Sequence, residues 1–190
     1  CVTVLRNIDM LFAKRFFTDS VNAYACAAKV GKAFFTLTGI IMVMFPHVSE
    51  EKSLNRNPFI YLSKSLIVTT VMSLAGIIIS WAAPEFVIKV ITVGKYIPNA
   101  ESLIQVIGVV ILPVSLIYIM ANYFLAQHRA GFIPILLCGM VLQWAVILLF
   151  HDTPIQMLCW VGKANYIILF GMIIYLIINE KFTANSINVL

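Results

Sequence analysis

Apolar residues along this chain come in long continuous runs, broken by short polar clusters at nearly regular intervals. The runs cover Cys1–Ala13, Val21–Phe45, a segment from Phe59 or Ser65 to Trp81, Ser102–Leu125, Phe132–Phe150 and Ile155–Ile178. They do not alternate with period two, which argues against a transmembrane β-barrel. Each full run approaches the ~20 residues that a helix needs to cross the hydrocarbon of a bilayer. The pattern therefore predicts an all-α polytopic membrane protein with about six transmembrane helices. Pro58 stands where a helix can open, Pro113 is expected to kink the fourth span, and Pro84–Asn99 suits an interfacial amphipathic segment followed by a turn.

Composition supports the same class. Hydrophobic residues are 62% of the 190 and charged residues 11%, against about 25% charged in an ordinary soluble domain. The first run, Cys1–Ala13, covers only about 20 Å as a helix, short of the ~30 Å hydrocarbon core. It reads as a truncated helix, and the chain as the C-terminal part of a longer protein. The four cysteines have no C-x-x-C spacing and read as small buried hydrophobes. Apart from Arg6 and Lys163, which lie within apolar runs, the lysines and arginines divide six against five between the two sides, so charge does not decide orientation.

Polar positions inside the apolar runs are the informative ones. Ser65, Thr69, Ser73, Gly76 and Ser80 recur every three or four residues, a ridge that lets another helix approach closely. Gln143 sits near the middle of its span and requires an interhelical partner. Arg6 and Asp9 lie three apart, on one face of the first helix. At membrane depth such charges face a bundle interior or a water-filled cavity, so the pair is either a pathway lining or a structural ion pair. In the second helix Ala25, Lys29, Lys32, Thr36 and Gly39 make one small-and-basic stripe at helical period. Its lysines either line a wet cavity or snorkel to the interface. Arg6, Asp9, Lys29 and Lys32 are the candidate translocation-cavity residues, with Asn122, Gln143 and Lys163 as possible secondary lining.

Catalytic chemistry has little support. His151-Asp152 is the one His-Asp neighbour pair, and beside Thr153-Pro154 it reads as a capping or interfacial turn. His47 and His128 have no ligand spacing to another His, Cys or carboxylate. Gly162-Lys163 lacks the preceding glycine pattern of a nucleotide-phosphate loop. The expectation is a transporter with no cofactor, no metal and no nucleic-acid partner.

The run NIDMLFAKRFFTDSVNAYACAAKVGKAFFTLTGIIMVMFPHVS resembles the seventh and eighth helices of bacterial polysaccharide flippases, the O-antigen, capsule and exopolysaccharide translocases of the MOP superfamily. The residues carrying the likeness are Asp9, Tyr24-Ala25 and Pro46-His47-Val48-Ser49, with Asn122–Gln127 similar to the end of the family's tenth helix. The resemblance implies that residues 1–190 form the C-terminal six-helix lobe of a two-lobed transporter in the bacterial inner membrane. It implies flipping of an undecaprenyl-pyrophosphate-linked oligosaccharide by alternating access, with a possible coupling ion, Na+ or H+. The rivals are a MATE-type multidrug or cation antiporter on the same fold and a membrane-embedded enzyme of envelope assembly. More basic than acidic residues in the apolar runs favour an anionic substrate over a cationic one.

Overall fold

A computed structural model describes residues 10, 12–17, 21–39, 59–91 and 100–187, with side chains placed as far as residue 36 in the stretch 21–39 and residue 179 in the last. Among the described residues six helices have defined bounds: α1 (Val21–Gly39), α2 (Phe59–Ala82), α3 (Pro84–Ile91), α4 (Ala100–Ala126), α5 (Ile133–Leu149) and α6 (Pro154–Ile187); residues 12–16 are helical as well. No strand occurs among the described residues. By length and composition α2, α4 and residues Pro154–Asn179 of α6 can each cross a membrane; α5 is apolar but has 17 residues. The expected crossings are thus met in three helices. The end of the second run, residues 40–45, the loop His47–Asn57 and the turn at Pro98-Asn99 lie outside the described residues.

Helix α4 is the hub, and it packs against α1, α2, α3 and α6. Its buried positions run almost all round, from Ala100 through Ile107, Val114 and Ile117 to Phe124. A helix whose buried positions lie on nearly every side stands at the centre of the bundle. The peripheral helices bury one stripe each. In α2 the buried positions are Leu62, Ser65, Thr69, Ser73, Gly76 and Ser80, so the small-residue ridge is the packing face as expected. A Cβ on Gly76 would come within 3.3 Å of the Phe34 ring, and one on Gly108 of α4 within 3.5 Å of the Ser80 hydroxyl. Small side chains bring backbones together where lipid supplies no hydrophobic drive between helices.

The hydroxyls of this ridge are largely silent in partner choice. Ser80 returns its proton to Gly76 O at 2.8 Å on its own helix. Thr69 Oγ1 and Ser73 Oγ are buried without a hydrogen bond. Shape, not polarity, is what this face contributes.

Pro113 sits inside α4, whose helix continues past it. Proline has no N–H, so the carbonyl four residues earlier loses its donor. That carbonyl is Val109 O, and the Tyr166 hydroxyl of α6 reaches it at 3.4 Å. A neighbouring helix thus offers the freed acceptor a partner, as membrane bundles commonly do. The helix ends at a left-handed residue, His128, with φ 56°. His128 N donates to Leu125 O at 3.0 Å and Arg129 N to Phe124 O at 2.9 Å, the paired closure of a Schellman cap.

Two further local predictions find their structures. Helix α3 is the short amphipathic piece expected after Pro84, burying Val87 and Ile88 while Glu85 and Lys89 pair at 3.6 Å on its outer face. The turn after α5 is a cap: Thr153 Oγ1 accepts from Gln156 N at 3.2 Å, ahead of Pro154 at the start of α6. His151 stacks on Phe16 at 4.3 Å, and Phe12 meets the edge of Trp144 at 5.9 Å, so the segment before α1 packs along α5.

Candidate translocation face and its buried amide pair

The bundle's outer surfaces differ sharply from helix to helix. Along α2 the exposed side chains include Ile67, Val68, Val71, Met72, Ile78 and Ile79. Along α5 they include Leu137, Val141, Trp144 and Leu148, and along α6 Ile167, Phe170, Ile174 and Ile177. These are surfaces suited to acyl chains. Helix α1 is different. Its exposed positions are Asn22, Lys29, Lys32, Ala33 and Thr36, with Ala25 half-buried, while Ala23, Tyr24, Cys26, Ala27, Val30 and Phe35 turn inward.

The predicted stripe is therefore a continuous outward face of α1. Its placement follows from the pattern: large apolar side chains at 24, 30 and 35 claim the side toward α4, which leaves the small and basic ones outside. Tyr24 is fully buried at 0% exposure, so it anchors the helix and does not line the face. Thr36 donates to Lys32 O at 2.8 Å and adds no contact across the face. Among the described residues neither Lys29 nor Lys32 has an acidic partner.

Two other lysines are exposed on long helices, and they are held differently. The Lys163 ammonium lies 3.9 Å from the centre of the Trp160 ring, which itself stacks on Phe150. Lys64 lies 5.9 Å from the Tyr61 ring, near the start of α2. Each cation finds a π face nearby. Lys163 is on the exposed side of α6, apart from Gln143, which is fully buried.

Gln143 finds the interhelical partner its position demanded. Its Nε2 donates to Asn165 Oδ1 of α6 at 2.5 Å, with the two residues 0% and 1% exposed. Gln143 Oε1 remains buried with no hydrogen bond. Asn122 is half-buried and donates to Tyr118 O of its own helix at 2.7 Å. Arg6 and Asp9 lie outside the described residues.

Behind the α1 face is a cavity of about 30 Å³. Its walls come from four segments: Met10; Ala28, Gly31 and Lys32 of α1; Ile107, Val110, Ile111 and Val114 of α4; and Val161 and Asn165 of α6. Lys32 and Asn165 are its polar side chains. Sequence reading missed Asn165, since an asparagine one turn from Trp160-Val161 carries no periodic signal; only the meeting of α5 and α6 reveals it. Among the described residues no group of three or more His, Cys, Asp or Glu could hold a metal ion.

No protein-family model, curated protein or solved structure matches the chain.

Proposed function

We propose that this chain is a lobe of a membrane transporter that moves a lipid-linked oligosaccharide, receiving its anionic headgroup along the Lys29–Lys32 face of α1. One observation carries the reading: a small, polar and basic stripe runs along the exposed side of α1, whereas the exposed sides of α2, α5 and α6 are mainly apolar and the exposed lysines of α2 and α6 lie near aromatic rings. Lysines held toward hydrocarbon are costly, and in membrane proteins such groups mark substrate or ion pathways. The sequence resemblance to polysaccharide flippases supports the same direction.

In this reading the chain contributes six helices to one lobe, and a second lobe of the same kind faces α1. Water and the headgroup occupy the space between them. An unpaired phosphate in a low-dielectric medium is strongly disfavoured, and lysine ammonium groups supply the counter-charge as mobile point charges. Arg6, one helix away in sequence, would add a bidentate partner, with Asp9 holding it in one state and releasing it in another or binding a coupling cation. Rocking of the lobes then exposes the face to each side of the membrane in turn. A drug or organic-cation exporter needs acidic lining instead, and the α1 face has none among its described side chains.

Single cysteines read with a membrane-impermeant thiol reagent test this directly. Cysteine at 29, 32 and 36 is expected to label in the native membrane, and cysteine at 68, 71 and 78 to stay silent. Equal silence at all six positions would place α1 against lipid and end the proposal. Lys29→Ala with Lys32→Ala is expected to abolish surface-glycan export at normal expression.

A further inference from the structure

We infer that the cavity behind Lys32 is a subsite for a single phosphoryl oxygen, with Asn165 as its second donor and Gln143 as the residue that orients Asn165. The inference rests on the proposed function and assigns chemistry to a pair of residues that the basic stripe does not include.

The hydrogen-bonding inventory of the cavity is one-sided. An asparagine side chain offers one carbonyl oxygen and one NH2 group, and lysine offers donors only. Gln143 Nε2 occupies Asn165 Oδ1 from the α5 side. Asn165 lines the cavity together with Lys32, and in the proposed subsite its Nδ2–H2 is the group that meets the ligand. All other lining side chains are apolar. A niche that combines an ammonium with an amide NH2 suits an oxygen with lone pairs and negative charge; a metal cation, which takes several oxygen ligands, would find one amide oxygen already accepting from Gln143 and the Lys32 ammonium beside it.

Size narrows the ligand. About 30 Å³ holds one or two water-sized groups, since each needs about 10–15 Å³ by the same measure. One oxygen of a phosphate enters, and the rest of the group stays outside on the α1 face with Lys29. The cavity wall bears Gly31 and Ala28, where larger side chains would fill it; a Cβ on Gly31 already comes within 3.2 Å of Ile107.

Gln143 touches no ligand in this scheme. It is a positioning residue: its amide N–H fixes which end of Asn165 faces the cavity. Without it the Asn165 amide is free to turn, and the carbonyl can face an anion.

The test is the binding of inorganic pyrophosphate and of a polyprenyl pyrophosphate to the whole protein in nanodiscs, with thermal melting followed in parallel. Asn165→Leu is expected to weaken pyrophosphate about tenfold, the loss of one hydrogen bond to a charged group. Asn165→Asp, close to isosteric but carrying an acceptor, is expected to weaken it further. Gln143→Met is expected to weaken binding severalfold at a melting temperature where binding can still be measured; a purely structural role would lower the melting temperature and leave affinity alone. Ala28→Leu fills the niche from the opposite wall and is expected to weaken binding as Asn165→Leu does, independently of the amide pair. Parallel losses for both ligands mean that the subsite reads the phosphoryl oxygen whatever carries it, and a loss confined to the polyprenyl ligand assigns it to the lipid headgroup. Unchanged affinity in folded Asn165→Leu, Asn165→Asp and Ala28→Leu proteins means a water site only and overturns the inference, while the α1 reading survives if Lys29→Ala and Lys32→Ala still weaken binding. Absence of pyrophosphate and polyprenyl-pyrophosphate binding to the unmodified protein overturns both.

Discussion

Breaking the Gln143–Asn165 pair from either side should have unequal effects, because the pair is not symmetrically satisfied. Gln143 donates to Asn165 Oδ1 at 2.5 Å, and both residues are buried between α5 and α6. Gln143 Oε1 has no partner even in the intact protein. Asn165→Leu strands the Gln143 amide at both ends, N–H and C=O. Gln143→Met strands only Asn165 Oδ1, and it also deletes the acceptor that was already unsatisfied. A stranded buried group costs about 1–3 kcal/mol, whereas interhelical hydrogen bonds in membranes average about 0.6 kcal/mol and reach about 1.7. The first number governs the single changes and the second bounds the coupling. We expect Asn165→Leu to cost about 2 kcal/mol, Gln143→Met about 1, and the double change less than their sum by about 1 kcal/mol. Reversible unfolding by a denaturing detergent in bicelles, fitted as a double-mutant cycle, measures all three. The reasoning fails if Gln143→Met proves the costlier single change, or if the two effects add within about 0.3 kcal/mol, the scatter of independent sites.

Three other outcomes follow from particular contacts. Gly139→Ala gains about 1 kcal/mol of helix propensity, but its Cβ would lie 2.6 Å from both Cγ1 and Cδ1 of Ile168, and overpacking of that kind costs about 1–3 kcal/mol. The same unfolding assay should find it destabilising in the natural background and stabilising on top of Ile168→Ala; no change of sign would mean that α5 and α6 adjust freely. His128→Gly relieves a left-handed residue at the α4 cap, a relief of about 1–2 kcal/mol partly offset by greater freedom in the unfolded chain, so a net gain of about 0.5–1 kcal/mol is expected, and a lower midpoint would refute it. Lys163→Met removes a cation 3.9 Å above Trp160, and should cost under about 1 kcal/mol while shifting the emission of a protein whose other two tryptophans are replaced by phenylalanine; an unchanged spectrum would mean that the ammonium does not sit over the ring.

Much of the packing was legible in the residues. Ser65, Thr69, Ser73, Gly76 and Ser80 announced the inner face of α2 by spacing alone, and the structure buries all five. The stripe Lys29, Lys32 and Thr36 was legible as a single face for the same reason, helical period. The position of Gln143 demanded a partner, yet nothing local named Asn165. The acceptor freed by Pro113 was predictable from its missing N–H, but its meeting with Tyr166 was not. Nothing local marked His128 as a cap; its left-handed geometry depends on how α4 closes, and glycine usually takes that place.

Local periodicity and hydropathy determined that this chain is a helical membrane protein, which faces of its helices are small or apolar, and where basic groups repeat, because those properties depend on neighbours three and four residues away. Tertiary structure alone decided that α4 is the hub, that Asn165 meets Gln143 across two helices, and that Lys32 shares a cavity with that asparagine. Contacts between positions 32, 143 and 165 depend on how helices cross, and in a bilayer, where every apolar outer face is equally at ease with lipid, that crossing is chosen by close packing of side chains rather than by any pattern within one helix.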